Sequence, residues 1–434
     1  MSLIQSLLLD ENESLAQNSR QLKSKVKIVL KILLILFFSL AFFSIPTCSF
    51  SSKFYYLTWI FTFLFIIVAF LILFFFYSFK IDPVFLCFIA FSLLSIFSTL
   101  INGFRSRTTT APFLSLFAGF CYLLSKSNKK MPSLLFLASY VGNFLFLVTY
   151  IITYRQELFS LNFDRLGAIF GDINDISLFM FFGFLMSLCL LAFDSRKYIK
   201  VISICLSLPY LFCGMSSGSR IFVLLIIVTV PIFVFVICGK KKWWLALIIL
   251  ILLGVSLIIL FNLPVFSTIK NRFEAMISTL LGKSINGTTT NERSIFTRFN
   301  MFLSGFEMFL RKPAFGWGIS GFAIFGDYTG GWSHNNFSES LCNFGLIGTF
   351  VFHVPIVFSF CKINYRDKVE KCCLLFLISF IICMFSVALN SEKLYAYLIG
   401  PVSAVMCKAN LVINVNALHL KVEKELKNES TRIN

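Results

Sequence analysis

The sequence predicts an all-α polytopic integral membrane protein with about twelve transmembrane helices and one large hydrophilic loop. Three observations predict it. Of 434 residues, 58% are hydrophobic and only 13% charged, more apolar surface than a soluble domain buries. The apolar residues come in runs of about 20, the length that crosses the hydrocarbon core of a bilayer. Short basic blocks separate these runs, so a net charge of +18 reads as a topology signal rather than as nucleic-acid binding.

Residues 1–27 form a polar tail, too hydrophilic for a cleavable signal peptide. No small-residue cleavage site follows the first apolar run, which is therefore expected to stay as a signal-anchor helix. Apolar runs near 28–45, 55–78, 83–101, 111–125, 132–153, 174–193, 199–213, 219–238 and 243–262 give nine spans over residues 28–262. A polar stretch, 263–342, interrupts the series, and runs near 343–361, 372–389 and 394–413 complete it before a polar tail at 414–434. The 13 cysteines show no paired spacing and mostly lie inside apolar runs, which supports neither a disulfide framework nor a zinc cluster.

Basic residues orient the chain. Every second loop is basic: Lys23, Lys25 and Lys27; Lys126, Lys129 and Lys130; Arg196, Lys197 and Lys200; Lys240, Lys241 and Lys242; Lys362, Arg366, Lys368 and Lys371; then Lys421, Lys424, Lys427 and Arg432. With both termini cytoplasmic these alternate without a slip, which puts the 263–342 loop outside. Arg155, Arg165, Arg220, Arg272, Arg293 and Arg298 then lie on the side where the positive-inside rule disfavours them. Headgroup snorkelling accounts for any one of them. Arginine rather than lysine at most of these positions also suits a bidentate grip on phosphate oxygens, as an anionic lipid-linked substrate would require.

Within the loop, 268–281 and about 292–311 carry apolar stripes at helical spacing, as helices lying on a membrane do. The second stripe is Ile295, Phe299, Phe302, Leu303, Phe306, Phe309 and Leu310, with Asn291 as its expected N-cap and Pro313 just past its end. Arg298 flanks that stripe at headgroup depth. A turn-rich passage, Lys312-Pro313-Ala314-Phe315-Gly316-Trp317-Gly318, follows. Ser333 is expected to cap the tenth span and to place His334 in its first turn, where the helix-end potential would favour a neutral imidazole able to accept a proton. A lone histidine is more often structural; this one is the only one outside, at the membrane edge, on the face that holds the arginines. Arg220 follows Ser216-Ser217-Gly218-Ser219 at the outer mouth of the eighth span, with Asp172, Asn174 and Asp175 as either its partners or caps of the sixth.

Four blocks resemble the O-antigen ligase and polymerase superfamily of bacterial membrane proteins. They are Arg165-Leu-Gly-Ala-Ile-Phe-Gly-Asp-Ile-Asn174; Ser217-Gly-Ser-Arg220; Arg298 followed by Pro313-Ala-Phe-Gly-Trp-Gly318; and His334-Asn-Asn-Phe-Ser-Glu339 with Asn343-Phe-Gly-Leu-Ile-Gly348. Their order, with the large loop after the ninth span, extends the likeness over most of residues 160–360. The resemblance implies glycosyl transfer from an undecaprenyl-diphosphate-linked glycan at the periplasmic face of the inner membrane, in a GT-C-like fold. It further implies His334 as general base on the acceptor hydroxyl. Arg165, Arg220, Arg293, Arg298, Asn335 and Glu339 would hold the diphosphate and glycan, with no metal and no cofactor. Its partners would be the lipid-linked glycan, the bilayer and a chain-length regulator protein.

The single outer histidine and the Ser-His-Asn-Asn-Phe form favour a polymerase of lipid-linked repeat units over a ligase that moves finished glycan to lipid A-core. A flippase for the same lipid-linked sugar would need ionisable residues near mid-bilayer and similar halves, and the spans carry neither feature.

Overall fold

A computed structural model describes residues 2–47, 52–77, 80–103, 110–160, 166–170, 172–239, 243–263, 266–280, 290–328, 331–361, 367–389, 393–407 and 413–414. In chain order the helices are α1 (Ser2–Thr47), α2 (Ser52–Phe76), α3 (Pro83–Ile101), α4 (Thr110–Ser127), α5 (Met131–Thr153) and α6 (Arg155–Phe159). Then come α7 (Ile173–Phe193), α8 (Lys197–Ser216), α9 (Arg220–Cys238), α10 (Trp243–Phe261), α11 (Ser267–Leu280) and α12 (Thr290–Arg311). A single turn, α13 (Gly321–Phe325), precedes α14 (Asn336–Cys361), α15 (Lys368–Cys383) and α16 (Lys393–Met406). Two-residue strands β1 (Lys80–Ile81) and β2 (Ile413–Asn414) pair antiparallel.

Each predicted apolar run falls on a helix. Among the described residues eight helices are long and apolar enough to cross a membrane: Ser24–Thr47 of α1, with most of α2, α3, α5, α7, α8, most of α9, and α14. Trp243–Ser256 of α10 is a shorter apolar stretch. The polar residues 2–27, expected as a tail, continue α1 as helix, because neither proline nor glycine interrupts the chain before Pro46. The predicted twelfth span, 394–413, overshoots α16, whose 14 residues reach only about 21 Å. Its residues are buried from Leu394 through Ala404, so its short end is housed by protein rather than lipid.

Phenylalanine explains both the inside and the outside. Phe38, Phe65 and Phe117 gather around Tyr397 in the core, where the Phe117 and Tyr397 ring centroids are 4.2 Å apart. The Thr62 and Tyr397 hydroxyls share a hydrogen bond of 2.5 Å, which satisfies both polar groups in that apolar setting. Phe63, Phe70, Phe74, Phe75 and Phe350 instead stand exposed on the outer surface, a distribution that requires a lipid solvent. α7 is the most enclosed of the eight long helices, with 72% of its apolar window buried.

α14 departs from regularity in a way that shapes the site. It starts at Asn336, seven residues before the expected 343, and breaks at Gly345 (φ 64°, ψ −167°), a conformation essentially restricted to glycine. The break frees the carbonyls of Cys342 and Asn343 and the N–H groups of Leu346 and Ile347. The Pro313–Gly318 turn takes up all four. Trp317 and Gly318 N–H donate to the Cys342 and Asn343 carbonyls (2.9 and 2.8 Å), while Leu346 and Ile347 N–H donate to the Pro313 and Ala314 carbonyls (2.8 and 3.3 Å). The turn is thus stitched into the broken helix, and those four backbone groups are paired.

Candidate functional site

One side of the site is built where the start of α7, the end of α8 and the start of α9 meet. α7 begins at Asp172, whose carboxylate accepts from Asn174 N–H at 2.8 Å as an N-cap. Asn174 Oδ1 accepts from the Ser219 hydroxyl at 3.0 Å, which ties the start of α7 to the residue just before α9. Leu166 N–H donates to the Ser216 carbonyl (3.2 Å) and Ile169 N–H to the Tyr154 hydroxyl (3.1 Å). Blocks about fifty residues apart in sequence thereby share one polar seam. Asp172, weighed as a partner of Arg220, serves as the helix cap. Arg165 lies outside the described residues.

Arg220 opens α9, and its guanidinium donates to the Arg272 carbonyl at 3.5 Å. Arg272, only 7% exposed, returns a 2.5 Å bond to the Gly218 carbonyl. These two arginines hold interfacial helix α11 against the α8–α9 turn. Arg272 is one of the outer cations of the sequence, and nothing in its neighbours there marks it for the site. Its clamp depends on helix docking, which no local pattern encodes.

α12 carries two faces. Phe299, Phe302, Leu303, Phe306 and Leu310 are exposed, the outward apolar stripe expected of an interfacial helix. Ser304 and Met308 are buried against the protein, and Gly305 lies so close to α14 that a Cβ there would collide with the Ser338 hydroxyl. Ser338 Oγ donates to the Phe302 carbonyl at 2.9 Å across the same contact. Arg298, two turns before Gly305, is half-buried on that inner side. Asn291 lies inside α12, which starts at Thr290, so it is not the predicted N-cap. Arg293 is in the first turn of α12, and its side chain lies outside the described residues.

His334 does not sit in a helix. The cap of α14 is Asn335, whose Oδ1 accepts from Phe337 and Ser338 N–H (3.0 and 3.1 Å), and His334 precedes it at φ 53° in the left-handed region. The expectation of Ser333 as cap, and of helix-end potential acting on the histidine, is therefore replaced. Burial first, and then the positive charge of Arg298, hold the His334 imidazole below its ordinary pKa, while Asp172 acts in the opposite direction. The neutral form is favoured, for a different reason than the sequence suggested. Arg298 of α12 and Asp172, the cap of α7, are therefore both near enough to His334 for their charges to act on it.

Two residues expected to bind substrate also make structural hydrogen bonds. Asn335 Oδ1 is spent on the helix cap. Glu339 is fully buried, with Oε2 accepting from Ser333 N–H (2.7 Å) and Oε1 from Asn343 Nδ2 (3.0 Å).

Several residues that sequence reasoning passed over complete the frame. Thr99 Oγ1 accepts from Ile319 N–H (2.9 Å), Asn102 donates to the Gly316 carbonyl (3.0 Å), and Ser98 donates to the Phe315 carbonyl. Lys312 donates to Asn102 and lies 4.0 Å from the centre of the Trp317 ring. The signal was present: Ser92, Ser95, Ser98, Thr99 and Asn102 form a polar stripe at helical spacing along an otherwise apolar α3. His353, given no role before, accepts from Asn336 Nδ2 at 3.2 Å and donates through Nδ1 to the Thr349 carbonyl at 2.7 Å, the assignment consistent with both contacts. Among the described residues no three His, Cys, Asp or Glu side chains gather into a metal-binding group.

Residues 202–353 match a family described as O-antigen ligase. Over that stretch the chain is similar to the O-antigen ligase family. The match spans α8 through the first two-thirds of α14, and so takes in Arg220, Arg272, Arg298, His334 and the Gly345 break. The Leu166–Asn174 segment lies N-terminal to it and joins the site through the seam with Ser216 and Ser219. No curated protein matches the chain. The matched stretch joins a half-buried arginine, Arg298, and a histidine whose neutral form is favoured, His334.

Proposed function

We propose that this chain is a polymerase of the superfamily, joining undecaprenyl-diphosphate-linked repeat units into O-antigen or a related surface polysaccharide. It would do so from the inner membrane, with twelve spans in a GT-C-like arrangement, both termini cytoplasmic and the 263–342 loop periplasmic. The observation that carries this reading is that Arg298, half-buried on α12, stands near enough to the part-buried His334 for its charge to favour the neutral imidazole. In the reaction the bond between the donor anomeric carbon and the diphosphate oxygen breaks. The acceptor hydroxyl oxygen forms the new glycosidic bond, and its proton passes to the His334 imidazole. Negative charge grows on the departing diphosphate, where Arg298, Arg220, Arg293 and Arg165 would offset it. Burial and the neighbouring cation keep the base neutral and ready.

The matched family's description as O-antigen ligase supports a second reading, transfer of finished polymer to lipid A-core. Disruption of the gene separates them. A lost polymerase leaves single repeats on the core, whereas accumulation of lipid-bound polymer above a bare core would reject the polymerase in favour of the ligase.

A further inference from the structure

Glu339 is a charged residue type with no exposed surface, and among the described residues it has no cationic partner in an ion pair. What it has instead is a chain of directed hydrogen bonds. Ser333 N–H donates to Oε2, and Asn343 Nδ2 donates to Oε1. Asn343 Oδ1 accepts from Phe322 N–H at 2.9 Å, at the start of α13. The Asn343 backbone carbonyl accepts from Gly318 N–H, on the turn that plugs the broken helix. One end of this chain therefore lies at the residue before His334, which stands in a left-handed conformation disfavoured for a side chain with a Cβ. The other end lies in the glycine-rich turn, and each link is buried, where an unmatched donor or acceptor is costly.

We infer that Glu339 and Asn343 form a buried positioning couple that holds the His334 backbone in its left-handed turn and fixes it relative to the Pro313–Gly318 turn. Glu339 is a positioning residue, not a substrate ligand. The inference rests on the proposed role of His334 only for its effect on activity; the mechanical part stands on the hydrogen bonds alone.

The direction of each bond supplies the test. In Glu339→Gln one amide N–H must face another donor, at Ser333 or at Asn343. In Asn343→Asp two carboxylates face each other. In the double variant E339Q/N343D every link is restored. The new amide at position 339 accepts from Ser333 N–H and donates to the new carboxylate at position 343, which still accepts from Phe322 N–H. Full-length protein in nanodiscs is compared by hydrogen–deuterium exchange over residues 331–345, and each variant is expressed in the disruption strain for its polysaccharide ladder.

Exchange roughly tenfold faster in each single variant is expected, with wild-type protection and a wild-type ladder regained in the double. A double variant as unprotected as E339Q overturns the couple, and so does E339Q with unchanged exchange. Protection regained without the ladder would show that the carboxylate at 339 is itself needed by the reaction, which also overturns the positioning role. Should the wild-type gene have no effect on any polysaccharide, the proposed function fails and the exchange result still decides the couple.

Discussion

Gly345→Ala tests the stitched break in α14 directly. The residue sits at φ 64° and ψ −167°, and an added Cβ would collide with the Ala314 carbonyl, a backbone group with no soft end to move aside. Backbone strain in this region costs about 1–3 kcal/mol for a residue other than glycine. To relieve the clash, the Pro313–Gly318 turn must withdraw, which puts at risk the four backbone bonds that join it to Cys342, Asn343, Leu346 and Ile347. The four together are worth about 4 kcal/mol net, so a loss of about 4 kcal/mol is expected if the turn undocks, and more if the strain at residue 345 remains. Purified protein in detergent should melt well below wild type and should be cut by protease within the 312–332 segment. Gly254→Ala in α10 is the control: nothing lies within 4 Å of its would-be Cβ, and alanine should be neutral or stabilising by about 0.5–1 kcal/mol. If Gly345→Ala melts and resists protease like wild type, the turn is not held by the break and the account of the loop fails.

Other variants probe the site. His334→Ala, Arg298→Ala and Arg220→Ala should each abolish polymer growth at normal protein level; normal ladders in all three would reject the assigned residues. The reactivity of His334 towards diethylpyrocarbonate, which modifies the neutral ring, should titrate below the usual histidine range. Arg298→Gln removes a charge that opposes protonation and should move that titration up, whereas Asp172→Asn should move it down; shifts of the same sign would contradict these opposed influences. Arg272→Met leaves the Gly218 carbonyl without this buried donor and should cost about 2 kcal/mol in a thermal melt, with activity reduced through the displaced α8–α9 turn. Trp317→Phe removes the 2.8 Å bond from Nε1–H to the Met308 carbonyl and should cost about 1 kcal/mol by the same measurement.

The sequence by itself determined the class of solvent, the places of the apolar helices and the amphipathic character of α11 and α12. Those features follow from composition and from periods of a few residues, which are local. It also pointed to Arg298 and His334, because a cation and a lone histidine stand out in a loop between apolar runs. What only the tertiary structure decided is which polar groups face each other. The start of α14 at Asn336 was hidden because Asn336 to Cys342 is mostly polar; Asn336, Ser338, Glu339 and Ser340 are nevertheless buried, and the Met384 carbonyl after α15 accepts from Asn336 N–H at 2.8 Å. The break at Gly345 reads in sequence as a glycine in a helix, and it is stable only because a turn some thirty residues earlier supplies its four missing partners. Glu339 looks like a ligand in sequence, since a carboxylate beside a histidine suggests chemistry. Its buried place follows from hydrogen bonds to Ser333 and Asn343, whose directions exist only once the chain has folded.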